Sequence, residues 1–429
     1  MGSYLVNLVC SWDPVRNRME KLRAESARRQ ERIVQLEGEL RLSASSLAQA
    51  QENEQHQFRA LAWLSCISND QRIAGLALER IGHQAAEPEL FIKEGLLGLR
   101  KKHAREILLA PPDAVANQHF LKYWEPFFQI VRDPATCQAL KKLCVGPELL
   151  LPRAHYVEAL DQSAAFPAIH RLWGDRPPLL TLLPEDRAAG QKVLQEWGLR
   201  ESDWFVGLHC REAGFINQPF HDFRNAAIKN FFPAIEDITA RGGWVVRLGD
   251  SSMAPLPKMP RVIDYACSPA KSEQMDVFLC ARSRFLLGTS SGLSMLASVF
   301  GVPCAITNNA PMGVTLLYAP RDIGIPKLVR SRREDRIWTF AEALSSPSSN
   351  YRFADQFEID GLELVENSPE EILELSREML ERVEGRWAAT PDDEELQKSF
   401  HSLFRPGHYT YGSLARCGRD FLRRHQNLL

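Results

Sequence analysis

The segment Arg284 to Thr307, RFLLGTSSGLSMLASVFGVPCAIT, constrains the fold of this chain more than any other. Phe285 to Leu287 is an apolar run with strand character, Thr289 to Gly292 form a small-residue turn, and an apolar helix follows. Gly301-Val302-Pro303 then turns the chain into a second strand, Pro303 to Thr307. Strand, tight turn, helix and strand make one unit of a parallel α/β sheet. The turn also sets hydroxyls and free backbone N–H groups at a helix start, where aligned peptide dipoles attract an anion. A helix N-terminus contributes about 0.3–2 kcal/mol toward an anion and each hydrogen bond to a charged group about 1.5–3 kcal/mol, enough to anchor a diphosphate.

The same residues spell Gly288-x-Ser290-x-Gly292, the pattern of a nucleophile elbow. Asp355 or Asp360, followed by His401 or His408, supplies the chain order that a Ser290 nucleophile needs. No His-Gly-Gly oxyanion segment accompanies it, and the neighbouring hydroxyls and arginines suit phosphate better than acyl chemistry. A serine hydrolase stands as the alternative reading.

At 429 residues the chain is long enough for two or three domains, and a net charge of -2 gives no general attraction for nucleic acid. Nine scattered cysteines without a Cys-x-x-Cys pair predict reduced thiols and a cytoplasmic protein, and no Cys/His group has metal spacing. The N-terminal SYLVNLVCSW is too short to span a bilayer. Phosphate-loop and dinucleotide fingerprints are both missing, which argues against an ATPase or a dehydrogenase.

From Asn17 to Gln57 the sequence predicts one long helix. With Met19 at heptad position a, the a positions are Met19, Ser26, Ile33, Leu40 and Leu47, and the d positions Leu22, Arg29, Leu36, Ser43 and Ala50. Six of the ten are large and apolar, which predicts a coiled coil and self-association. Phe58 to His83 reads as helical. Beyond it short apolar runs (Glu106–Ala110, Gln129–Val131) alternate with helical segments, His119–Phe128 among them, as in an α/β domain. A helix is expected over Pro184–Gly198. Later strands are expected at Trp204–His209, Gly243–Leu248 and Val262–Asp264, and helices at Asn225–Arg241, at Glu273–Ala281 and from a capping box at Ser368, Pro369 and Glu371. Such alternation predicts a doubly wound parallel sheet that binds ligands at the carboxyl ends of its strands.

Two further strand ends carry chemistry. Alternation along Leu208-His209-Cys210-Arg211-Glu212 puts His209 and Arg211 on one face, where the guanidinium can clamp a phosphate. Arg247-Leu248-Gly249-Asp250 closes another strand, with Arg247 or Asp250 placed to meet a nucleotide or to form a structural salt bridge.

Ser291-Gly292-Leu293, seven residues and then Gly301-Val302-Pro303 is similar in spacing to the donor-site element of GT-B glycosyltransferases that transfer heptose. That family carries an aspartate where this chain has Ser290 and a histidine where it has Met295. His209-x-Arg211 resembles the strand-end motif of the fucosyltransferase branch. The order from Asp203-Trp204 through Arg224-Asn225, Arg247-x-Gly-Asp, Ile263-Asp264-Tyr265 and Met275-Asp276 to the serine turn resembles a family of bacterial glycosyltransferases met around surface-polysaccharide genes. Arg80-Ile81-Gly82-His83 with Glu87-Pro88-Glu89 looks like that family's N-terminal motif.

The resemblance implies a GT-B-like α/β fold with two Rossmann-like domains facing a cleft, preceded by the coiled-coil helix: residues 1–57, an acceptor-side domain 58–200 and a nucleotide-sugar domain 201–429. It implies transfer of a sugar from a nucleoside diphosphate donor to a glycan, lipid-linked or protein acceptor, with inversion. No cofactor beyond the donor is expected, and no Asp-x-Asp pair, the mark of a metal-dependent alternative, occurs. The donor would be held by His209, Arg211, Arg224, Arg247, Asp250, Thr289, Ser290, Ser291 and Gly292. The acceptor proton would go to His83, Glu87, Glu212 or Asp222, with the Gly82-His83 turn and Glu87 or Glu89 facing the cleft. The expected setting is a cytoplasmic homo-oligomer, with peripheral association at the inner membrane face as an option. The departures at Ser290 and Met295 leave an inactive GT-B scaffold as a third reading.

Overall fold

The computed structural model describes residues 2–65, 71–74, 76–99, 105–145, 165–212, 219–314 and 317–429. It opens with one helix, α1 (Gly2–Ser65), longer at both ends than the heptads predict and roughly 95 Å long at 1.5 Å per residue. Residues 18–52 of α1 are exposed, and the helix packs beside α3 (Pro134–Val145).

A small parallel sheet follows, in the order β1-β2-β3: β1 (Gln71–Ala74), β2 (Arg105–Leu109) and β3 (Gln129–Val131). The helix expected over Phe58–His83 is therefore wrong in its second half, where Gln71–Ala74 pairs with Arg105–Leu108. Four residues are too few for the period-2 pattern to register against a long helical run, and pairing with β2 decides. Residues 66–70 lie outside the described residues. His119–Phe128 forms a 3-10 turn (Phe120–Tyr123) with its flanking turns, not a helix. Helix α2 (Ile81–Leu96) covers the sheet and buries Leu90, Phe91 and Ile92.

After α4 (Ala165–Trp173) and α5 (Pro184–Glu196) the chain builds a second parallel sheet, ordered β13-β9-β8-β7-β4-β5-β6. Its centre consists of β4 (Phe205–His209), β5 (Trp244–Arg247), β6 (Val262–Asp264), β7 (Leu286–Thr289) and β8 (Cys304–Asn309). The outer strands β9 (Ile323–Pro326) and β13 (Arg416–Cys417) complete one edge. Alternation assigns each face to its own core: Phe205, Val246, Leu286 and Ile306 join one apolar cluster, while Val206, Val245, Leu287 and Ala305 join the other. Burying each Val or Leu fully is worth about 1.5–3 kcal/mol, so this register is firmly specified.

The order winds outward from β4 through β5 to β6, then returns to β7 and winds the other way. The carboxyl ends of β4 and β7 thus flank a topological switch point, where a parallel sheet leaves a crevice. The connecting helices are α6 (Phe232–Ala240), α7 (Glu273–Arg282) and α8 (Gly292–Val299). The helix expected from Asn225 is shorter: Ile228–Phe231 is a 3-10 turn, and α6 starts with Pro233 in its first turn.

Helices α9 (Phe340–Ser345) and α10 (Ala354–Ile359) accompany a small antiparallel sheet made of β10 (Leu328–Ser331), β11 (Arg336–Ile337) and β12 (Leu362–Val365). Helix α11 (Pro369–Val383) begins at the expected box: Ser368 Oγ accepts from the Glu371 N–H at 3.2 Å, and the Glu371 carboxylate accepts from the Ser368 N–H at 2.8 Å. Helices α12 (Pro391–Ser402) and α13 (Arg419–Arg424) close the chain. Among the described residues no helix is long and apolar enough to cross a membrane.

Candidate active site

A cavity of about 640 Å³ opens at the carboxyl ends of β4, β5 and β7. Its floor is made where the first turns of α2 and α8 touch. A Cβ on Gly82 would stand 2.9 Å from the Gly292 Cα, and one on Gly292 would stand 2.7 Å from the Gly82 nitrogen. Only glycine at both positions allows two helix starts to meet this closely, and both starts line the same space. Neither N-terminus is capped by a side chain: Arg80 and Ser291 hold the N-cap positions without a cap hydrogen bond. Ser291 Oγ is buried and has no hydrogen-bond partner. Two uncapped helix dipoles and an unpartnered hydroxyl leave the floor short of a negative acceptor.

Cationic side chains surround the floor. Arg211 follows β4, its backbone N–H donates to Thr289 Oγ1 at 2.9 Å, and its Nε donates to Asn225 Oδ1 at 3.2 Å. Arg224, at the end of a 3-10 turn (Pro219–Arg224), donates from Nη2 to the Ser290 carbonyl at 2.7 Å. Burial, then the nearby charges of Arg211 and Arg80, push the Arg224 guanidinium down to about 10, and burial also lowers Arg211. Arg80 lines the same cavity. His209 is buried and held neutral down to about pH 4, chiefly by burial, and its Nδ1 lies 3.2 Å from the Leu248 carbonyl. Of the donor residues expected from sequence, His209, Arg211, Arg224, Asp250, Ser290, Ser291 and Gly292 line the cavity. Thr289 sits behind it, fully buried, and braces Arg211. Cys210, on the opposite face, is buried in the other core, as alternation requires.

Arg247 does not line the cavity. It is fully buried, with Nη2 on Glu212 at 2.7 Å and Nη1 on Asp264 at 3.3 Å, the structural salt bridge rather than a ligand clamp. Glu212 is spent in this pair, and Asp222 is exposed and accepts from Asn225 Nδ2 at 2.8 Å, outside the cavity. Glu87 and Glu89, expected at the cleft, point into the protein: Glu89 pairs with Lys93 at 2.7 Å, and Glu87 is fully buried. Glu87 Oε1 lies 2.8 Å from His83 Nδ1 and its Oε2 accepts from the Ala77 N–H at 2.9 Å. His83 itself lines the cavity.

One end of the cavity is closed by Asp250, Met253 and the Lys271–Asp276 pair (2.8 Å). The other end is aromatic, with Phe166, Tyr318, Tyr351 and Tyr409, and Arg352 donates to the Tyr409 hydroxyl at 2.8 Å. Sequence reasoning missed this end, because its residues come from four separate segments and no local spacing ties them together. Met295, where the resembling family carries histidine, is buried on the cavity wall. Of the residues a hydrolase would need, His408 lies 3.3 Å from Ser349 Oγ, and Asp360 accepts from the Tyr351 hydroxyl. Neither is engaged with Ser290. Among the described residues no three His, Cys, Asp or Glu side chains are grouped to hold a metal ion.

No family model and no curated protein matches the sequence. Among solved structures, the chain is similar to the glycosyl transferase family 9 protein from Veillonella parvula DSM 2008, at 10% identity over 73% of this chain and 98% of that one, with a TM-score of 0.47. It is also similar to E. coli ADP-heptose LPS heptosyltransferase II, at 13% identity over 55% of this chain and 83% of that one, with a TM-score of 0.33. The dodecameric iron-containing heptosyltransferase TibC has 14% identity over 59% of this chain and 62% of that one, with a TM-score of 0.33. At such values likeness does not carry activity from one chain to another. The architecture itself, two parallel α/β sheets meeting at one cavity, is GT-B-like.

Proposed function

We propose that this protein is a glycosyltransferase that takes a sugar from a nucleoside diphosphate donor and passes it to a glycan, lipid-linked or protein acceptor. The observation that carries the reading is the cationic floor: Arg211 and Arg224 beside two uncapped helix N-termini and the unpartnered Ser291 hydroxyl. Such a floor supplies what a departing diphosphate needs, fixed donors aimed at charge that grows as the glycosidic bond breaks. Three arginines and two helix ends are more than one phosphate requires, which favours a diphosphate over a monophosphate. The nucleoside would extend toward Asp250 and Lys271, and the sugar and acceptor toward the aromatic end, where ring faces suit apolar sugar faces. The exposed apolar stripe of α1 supports self-association as part of the same proposal, and the free thiols fit a cytoplasmic setting.

A thermal-shift panel of GDP, UDP, ADP and CMP tests the reading. A ligand at one hundred times its Kd stabilises by about 2.7 kcal/mol, so at least one diphosphate should raise Tm by several degrees while CMP does little. A chain unmoved by every diphosphate, or one whose Ser290 is labelled by a fluorophosphonate, refutes the transferase.

A further inference from the structure

We propose that His83 is the general base of the transfer and Glu87 its positioning residue, an assignment that rests on the glycosyltransferase reading above. His83 sits in the first turn of α2 on the cavity wall, with its side chain 19% exposed. One turn later Glu87 is wholly buried, and both of its oxygens are engaged, Oε1 by His83 Nδ1 at 2.8 Å and Oε2 by the Ala77 N–H at 2.9 Å. A carboxylate only accepts hydrogen bonds, so this contact puts the ring proton on Nδ1 and leaves the Nε2 lone pair for the cavity. The other carboxylates first considered do not compete, since Glu212 is paired with Arg247 and Asp222 lies outside.

The Gly82–Gly292 contact fixes where this imidazole stands relative to the cationic floor. The acceptor oxygen forms its bond to the anomeric carbon as its O–H proton passes to His83 Nε2. The bond from that carbon to the diphosphate oxygen breaks, and its electron pair leaves with the diphosphate onto Arg211, Arg224 and the helix starts. Glu87 then faces the imidazolium that has formed. The other charges around the ring are Glu79 and Arg80 on its own side, the two floor arginines across from it, and Asp250 with the Lys271–Asp276 pair at the far end.

Three measurements on the full chain test this. Long-range ¹⁵N–¹H correlation of the His83 ring needs no substrate: the neutral Nδ1–H tautomer is expected, and an Nε2–H tautomer overturns the assignment. Calorimetry with GDP, UDP and ADP should give His83→Gln an affinity within threefold of the wild type. With UDP-glucose, GDP-mannose and ADP-glucose hydrolysed to water, His83→Gln should turn over at least 100-fold more slowly. Glu87→Gln should let the Nε2–H tautomer appear in the same correlation spectrum and lower turnover with nucleotide affinity kept, whereas an unchanged spectrum removes Glu87 from its positioning role. Equal turnover in His83→Gln, or affinity lost as steeply as turnover, removes the base and leaves the transferase standing. A wild type that binds no nucleotide overturns both.

Discussion

Arg224→Gln separates the cost of the cationic floor from its use. Burial, Arg211 and Arg80 push the Arg224 guanidinium down to about 10, with no carboxylate among its partners in the described residues. At about 1.36 kcal/mol per pH unit this displacement costs the fold about 3 kcal/mol. The side chain is partly exposed to the water of the cavity, so about 1–2 kcal/mol is the better figure once solvent screening is counted. The sign is definite: the folded pKa lies below the unfolded one, so the cost is present in full at neutral pH and is relieved only above pH 10.

Glutamine removes that repulsion and gives up the charged hydrogen bond to the Ser290 carbonyl, worth about 1.5 kcal/mol. The two terms nearly cancel, and the ligand-free variant should unfold within about 1 kcal/mol of the wild type, whereas truncating an ordinary paired buried charge costs about 3–5 kcal/mol. Nucleotide affinity should fall by about 1.5–3 kcal/mol, or roughly 10- to 150-fold. Urea denaturation and calorimetry with GDP, UDP and ADP read the two quantities separately. A variant that loses more than 2 kcal/mol of stability yet binds nucleotide normally would show Arg224 to be a brace for the β7 turn, and the reasoning would fail.

Gly292→Ala should destabilise the fold by about 1–3 kcal/mol, because its Cβ meets the Gly82 nitrogen at 2.7 Å and backbone cannot rotate away; an unchanged melting curve would contradict the close crossing. Arg247→Ala should cost about 3–5 kcal/mol by leaving Glu212 and Asp264 without their buried partner, while nucleotide affinity per folded molecule stays the same by calorimetry. His170 is held neutral to about pH 4 by burial, with Lys93 adding to the effect and Glu89 opposing it. The unfolded chain binds its proton near pH 6.5, so stability falls as pH drops from about 6.5 to 4, by up to about 3 kcal/mol. His170→Phe, which keeps a ring against Tyr318, should flatten that slope in denaturation curves taken across the window. Deleting residues 1–57 should lower the number of chains per particle measured by light scattering, since Leu22, Ile33, Leu36, Leu40 and Leu47 are exposed on α1; an unchanged number would mean this stripe is no assembly seam.

The segment Arg284–Thr307 was legible because everything it needs is local: alternating apolar residues for a strand, small residues for a turn, and a helix start joined to that turn by covalent connection alone. For the same reason the capping box at Ser368, the strand Val262–Asp264 and the shared face of His209 and Arg211 could be read directly. Strand β1 could not, since four residues become a strand only by pairing with Arg105–Leu108.

The partners of charged groups were beyond the sequence as well. Arg247, Arg211 and Arg224 carry the same guanidinium, and only tertiary packing gives Arg247 two half-buried carboxylates as partners and leaves Arg224 crowded by like charge. The sequence by itself determined the parallel α/β plan and the anion-ready turn, because hydrophobic period and helix polarity act over a few residues. Tertiary structure alone decided that a second helix start, brought in by the Gly82–Gly292 contact from more than two hundred residues away, completes the floor and sets His83 beside it. Coulomb and desolvation energies depend on distances across the fold, and no spacing along the chain encodes those.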